Sequence, residues 1–228
     1  MREAFHEQLD SIFVDLAAIC GRVKDAVHLA TEALLTGDSE TAERVISADV
    51  EIDLARERIE DMAFSLLSLQ QPVAGDLRTV VCAIRASGDL ERMDVLARHV
   101  AEAALRRQSR CAVPEQVRPA FTEMNRLGVE MALKAAEVAR TRNVLLAVEL
   151  DADDEAMDDL HAQLFGVLMD RSWPHGIAAA VDVTLLGRYY ERFADHAVLV
   201  ADETVTAVTG RRRREVAEFL RAQRSATG

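Results

Sequence analysis

The sequence predicts an all-α protein made of two tandem three-helix bundles, six long helices in all. Three observations carry this. Apolar residues recur at three- and four-residue spacing through almost the whole chain, the mark of one buried helical face. Ten Gly and four Pro among 228 residues leave few breaks. Half of the residues are hydrophobic but only 4% are aromatic, so the apolar content rests on Ala, Leu and Val rather than on the aromatic residues that strands favour.

The first helix, residues 3–36, places Leu9, Ile12, Phe13, Leu16, Ile19, Val23, Val27, Ala30 and Leu34 on one face and stops at Gly37. Asp38 or Ser39 caps the second, which carries Val45, Ile52, Ile59, Met62 and Leu66 and ends near Leu69, before Gln70-Gln71-Pro72. The third starts near Val73 and runs through Leu77, Val80, Ile84, Leu90, Val95 and Val100 to Leu105. Pro114 and Pro119 bracket the link to the fourth helix, residues 115–141, whose stripe is Phe121, Met124, Leu127, Met131, Ala135 and Val138. Residues 143–171 form the fifth, with Leu146, Leu150, Met157, Leu160, Leu164 and Leu168, broken at Ser172-Trp173-Pro174. The sixth spans His175 to Val208, with Ile177, Val181, Leu185, Tyr190, Phe193, Ala197 and Val200 inward. Helices this long need partners along their length, and short links make neighbours antiparallel, hence bundles.

An internal duplication divides the six into two sets. Leu90-Glu91-Arg92 through Glu102 aligns at an offset of one hundred with Tyr190-Glu191-Arg192 through Asp202. Asp49 to Asp53 has its counterpart in Asp154 to Asp158, and Gln71-Pro72 in Trp173-Pro174. Three features in the same order point to a repeat. The expected units are residues 1–109, residues 110–210 and a basic tail at 211–228, with Arg211 to Arg214 read as a solvated helix end or as a contact with anionic lipid.

Chemistry concentrates at the repeated acids. Residues four apart share a helical face, so Asp49 with Asp53, Asp154 with Asp158, and Glu191 with Asp195 each present two carboxylates together. Three readings stand: a solvated acidic face, carboxylates paired with Arg92 and Arg192, or a hard oxygen site for Fe, Mn, Mg or Ca. His28, His99, His161 and His196 read as surface or satisfied helix residues.

Other classes fall away. A net charge of -12 lacks the clustered cations that a nucleic-acid surface requires. Cys20, Cys82 and Cys111 are odd in number and far apart, giving neither a disulfide framework nor a CxxC pair. No phosphate loop, GxGxxG, GxSxG or HExxH motif occurs, and the lone ExxH, Glu3 to His6, falls short of the two that a di-iron bundle uses. Two acids near the start leave no basic signal-peptide region, and no apolar run approaches a membrane span, so a soluble cytoplasmic protein is expected.

Two segments resemble a known family. Arg188-Tyr189-Tyr190-Glu191-Arg192-Phe193-Ala194-Asp195-His196-Ala197 is similar to the R-Y-L-E-R-I-G-D-H-A signature of PhoU, the regulator of bacterial phosphate uptake. Gln70-Gln71-Pro72-Val73-Ala74-Gly75-Asp76-Leu77-Arg78 resembles that family's Q-x-P-x-A-x-D-L-R turn. The resemblance spans about residues 3–208. It implies paired three-helix bundles, homodimerisation, and surface clusters of Fe, Mn, Mg or Zn held by carboxylates, with no organic cofactor. By motif the metal positions are Asp49, Asp53 and Glu91 in the first half and Asp154, Asp158, Glu191 and Asp195 in the second. The resemblance also implies a non-enzymatic adaptor between the phosphate ABC transporter and a sensor histidine kinase, holding the phosphate-starvation response off when phosphate is plentiful. The membrane is then reached only through partners.

One departure matters. Where the family has E-R-x-G-D, the first half reads Glu91-Arg92-Met93-Asp94-Val95, leaving Asp94 as an imperfect substitute and the first metal site weaker than the second. The competing functions are a metal-dependent helical enzyme or metal-storage protein, and a plain bundle that binds a partner helix.

Overall fold

The computed structural model describes residues 2–106 and 113–226, apart from the side chains at 2–4, 49, 70, 221 and 224–226. Cys111 and the expected unit boundary at 109/110 lie outside the described residues, as do the side chains of Glu3 and Asp49. Seven α-helices follow one another: α1 (Arg2–Thr36), α2 (Ser39–Gln70), α3 (Gly75–Leu105), α4 (Arg118–Thr141), α5 (Val144–Leu168), α6 (Gly176–Thr209) and α7 (Arg213–Ala226). No strand occurs among the described residues. The expectation of six long helices is met, and α7 is an addition to it.

Local chemistry sets the boundaries. Gly37 takes φ 76° after α1, and the Asp38 carboxylate accepts the backbone N–H of Glu40 at 3.0 Å and of Thr41 at 3.2 Å, starting α2 at once. Arg142 closes α4 at φ 56°, and Asn143 caps α5 through Leu145 N at 3.0 Å. Three boundaries differ from the expected ones. The α3 helix starts at Gly75 rather than Val73, because Gln71 and Ala74 both take positive φ in the turn around Pro72. A separate 3₁₀ turn (Glu115–Val117) precedes α4, with Pro119 in the first helical turn. The α5 helix stops at Leu168, where Asp170 instead accepts the N–H and hydroxyl of Ser172.

One continuous core runs through both halves. It holds Ile12, Leu16, Ile19 and Val27 of α1, Leu90, Met93 and Ala97 of α3, Phe121, Met124 and Met131 of α4, and Tyr190, Phe193 and Val200 of α6. Each of the larger side chains contributes about 1.5–3 kcal/mol by leaving water, so the stripes dominate the fold. Within each half three helices pack mutually, and the halves join where α3 lies along α6 and α1 along α4. Gly128 admits the Phe193 ring, which stands 3.5 Å from where a Cβ would sit. Polar links across the seam include the buried hydroxyls of Thr31 and Tyr190, 2.6 Å apart, His196 Nδ1 with Asp89 at 3.0 Å, and Asn125 with His28 at 3.3 Å. The outer helices α2 and α5 stay away from the seam, α2 packing on α1 and α3 and α5 on α4, α6 and α7, and the repeated acids lie on α2 with α3 and on α5 with α6.

Candidate functional site

In the second half, α5 presents Asp154 and Asp158 one turn apart, and α6 presents Glu191 and Asp195 likewise. The two helices approach closely because Gly187 lacks a side chain; a Cβ there would come within 3.0 Å of Leu164 and 3.2 Å of His161. The four acids sense one another. Burial together with the charges of Asp195 and Asp158 pushes the Asp154 carboxyl up to about 6, against an opposing pull from Arg213. Burial and the Asp195 charge likewise raise Glu191, with Arg188 opposing. Crowded carboxylates in this state gain from any added cation.

The donor chemistry of this cluster fits a hard cation. Glu191 Oε2 is buried without a hydrogen-bond partner, and so is His161 Nε2. Burial and the neighbouring Arg188 lower the His161 pKa against the pull of Asp158, and so favour the uncharged imidazole, a form able to act as a ligand. The donors are not gathered, however: among the described residues no three His, Cys, Asp or Glu side chains converge closely enough to hold a metal ion. Guanidinium groups stand beside them. Arg188 donates to Glu191 Oε1, and Arg213 donates to Asp151 Oδ1 beside Asp154. Coordination by Glu191 through Oε1 would need that oxygen to leave Arg188.

The first half is built on the same register and carries a different occupant. Arg56, three residues after Asp53, donates from Nη1 to Glu60 Oε1 at 2.6 Å and places Nε 3.6 Å from Glu91 Oε2. Although burial works against its charge, Glu60, Glu91 and Asp53 together raise its pKa further. The chain thus supplies its own fixed cation there. Asp94 faces a separate cavity. It is 5% exposed and lines a cavity of about 290 Å³ with Asp25, Glu51, Arg22 and Arg44. Val95 occupies the register of Asp195.

Among the described residues the close ion pairs to Glu91 and Glu191 come from residues other than Arg92 and Arg192, although the Arg192 charge also acts on Glu191. Arg56 and Arg188 pair with Glu91 and Glu191, while Arg92 and Arg192 are exposed. The duplication contains a signal for the difference: Asp53-x-x-Arg56 aligns with Asp158-x-x-His161, a permanent cation in one half and a titratable lone pair in the other. The reading of Arg211 to Arg214 as a solvated end holds for the exposed Arg211 and Arg214 but not for the other two. Arg213 is 3% exposed, and Arg212 donates to Asp202 at 2.8 Å and Glu203 at 3.0 Å, because α7 folds back on α5 and α6.

A second feature lies at the α5–α6 turn. Phe165, Met169, Trp173, Ile177, Val181 and Leu185 line an open apolar groove of about 530 Å³, in which Met169 and Ile177 are more than four-fifths exposed. Phe64, Leu69, Val73 and Leu77 are exposed at the matching α2–α3 turn. No helix among the described residues is long and apolar enough to cross a membrane.

Comparison with known proteins matches this architecture closely. A family profile described as PhoU domain matches residues 16–104 and 121–204, one copy in each half. The chain is 50% identical over 210 residues to the "phosphate-specific transport system accessory protein PhoU homolog 2" of Mycobacterium tuberculosis, covering 92% of this chain and 99% of that one. It is 49% identical to homolog 1 of Mycobacterium leprae, covering 92% and 95%. The crystal structure of PhoU from Pseudomonas aeruginosa superposes with a TM-score of 0.81 at 24% identity, over 91% of this chain and all of that one.

Proposed function

This chain belongs to the PhoU family, and from that premise we propose that it regulates phosphate uptake and the phosphate-starvation response. In this reading it is a cytoplasmic accessory of the phosphate ABC transporter that relays transporter status to a sensor histidine kinase and keeps the response off in abundant phosphate. The observation that carries it is the 50% identity, over 92% of the chain, to a protein named as an accessory of phosphate-specific transport. The groove of Phe165, Met169, Ile177 and Val181 supports a docking role, since a contiguous exposed apolar patch marks a contact surface. A few kcal/mol of differential binding there suffices to move a kinase between signalling states.

A divalent cation belongs to the same reading. Asp154, Asp158, Glu191 and Asp195 would hold it, and it would neutralise carboxylates that now raise one another's pKa. Asp53 and Glu91 already face Arg56, so the second half is the favoured binder.

Deletion of the gene, in a strain with no second copy of the family, tests the role. Phosphate-scavenging reporters should switch on in phosphate-replete medium, and Ile177→Asp with Val181→Asp should reproduce the effect in a folded protein. Unchanged reporters together with normal phosphate uptake would overturn the regulatory reading.

A further inference from the structure

The α7 helix lies beyond the family match, which ends at residue 204. At 14 residues it is too short to be stable alone in water, so its docking depends on a few anchors. Ala217 is its buried apolar contact, and Val216 is partly buried. The rest of the anchorage is charged. The Arg213 backbone N–H donates to Asp202 Oδ1 at 2.6 Å, its side chain donates to Asp151, and Arg212 reaches Asp202 and Glu203. Arg213 is buried although its Nε has no hydrogen-bond partner, a costly arrangement for a guanidinium. Opposite, a cavity of about 350 Å³ is lined by Asp151, Asp154, Glu155 and Asp158 of α5 and by Arg214, Ala217 and Glu218 of α7. The last helix thus brings two arginines and one acid to the acidic cluster of the second half.

We propose that α7 is a cation-sensitive latch: docked, it supplies the counter-charge of the second acidic cluster through Arg213 and Arg214, and a divalent cation bound there displaces it. The proposal rests on the cation reading above. It is the removable counterpart of the arrangement in the first half, where Arg56 sits on the same helix as Asp53 and cannot leave. Two positive groups beside the same carboxylates repel each other, so cation binding and α7 docking oppose one another. By linkage the antagonism is reciprocal: whatever loosens α7 tightens the cation by the same factor. Release would uncover the anchoring acids Asp202 and Glu203 on α6 and the buried face around Ala217, which changes the surface presented to a partner.

The test uses the full-length chain freed of metal by a chelator. Mn²⁺ affinity is measured calorimetrically for the parent, for Arg213→Gln and for Arg140→Gln, a loss of positive charge on the exposed face of α4. Hydrogen exchange of the α7 amides is followed with and without Mn²⁺. Arg213→Gln should tighten Mn²⁺ by about tenfold and Arg140→Gln should leave it unchanged. Saturating Mn²⁺ should speed exchange across α7 in the parent while slowing it in α5. Equal Mn²⁺ affinity in parent and Arg213→Gln, with α7 exchange unmoved, would overturn the latch and leave the cation site standing. Slower α7 exchange in Mn²⁺ would also overturn it, making Glu218 a contributor to the site. Absence of Mn²⁺ binding in all three proteins would refute the latch and the cation reading together.

Discussion

Replacing Asp154 with Asn should stabilise the metal-free protein at neutral pH, although the residue is a candidate cation holder. The folded chain raises its carboxyl from 3.8 to about 6, chiefly by burial and then by the charges of Asp195 and Asp158. A folded carboxyl that holds its proton more tightly than the unfolded one stabilises the fold below about pH 4, and that contribution is lost as pH rises through 6. Roughly two pH units at 1.36 kcal/mol each sets an upper bound of about 3 kcal/mol. The carboxyl is only half-buried, and solvent screening brings this to about 1–1.5 kcal/mol. Asn carries no charge and avoids the loss, so the variant should melt about 3–5 °C higher at pH 8 in chelator and coincide with the parent near pH 4. Thermal circular dichroism across that range is the assay. Excess Mn²⁺ should reverse the order, because it stabilises only the chain that binds it. A variant no more stable at pH 8, or equally more stable at pH 4 and pH 8, would show that the crowding of charge around Asp154 has been misjudged.

Three further outcomes are expected. Glu191→Ala with Asp195→Ala should lower the divalent metal content of protein purified without chelator more than Glu91→Ala with Asp94→Ala, as read by elemental analysis; equal losses would contradict the asymmetry set by Arg56. Tyr190→Phe should cost about 1 kcal/mol in urea unfolding, and a double-mutant cycle with Thr31→Val should show most of that as coupling, since the two buried hydroxyls face each other at 2.6 Å. Ala74→Gly should raise stability by about 1 kcal/mol, because Ala74 sits at φ 50° where the second half has Gly176 at φ 76°. A lower urea midpoint for that variant would mean the turn is not strained.

Most of the fold was legible in the chain. Ile12, Leu16 and Ile19 announce a buried face because helical spacing is a local property, and Asp38 announces a helix start because a cap bonds within three residues of itself. The duplication and the carboxylate pairs were legible for the same reason, and the two motif segments pointed to the family that the comparisons establish. Asp94 shows where local reading ends. Successive residues turn by about 100° around a helix, so moving an acid from the fourth to the third place after Glu91 swings it away from the register of Asp195 and into the cavity between α1 and α2.

What only the tertiary structure decided is which charge meets which. Arg92 and Arg192 stand next to the acids in sequence, yet Arg56 reaches Glu91 from a neighbouring helix and Arg213 reaches Asp151, beside Asp154, from the far end of the chain; Arg188, three residues before Glu191, is the one local pair. Likewise the basic run after Gly210 reads as a solvated end until α7 is seen folded onto α5 and α6. Periodicity determines the face a side chain shares within its own helix over one or two turns. Ion pairing is decided by distance and burial between helices, which depend on how whole faces pack, and no short stretch of residues contains that information.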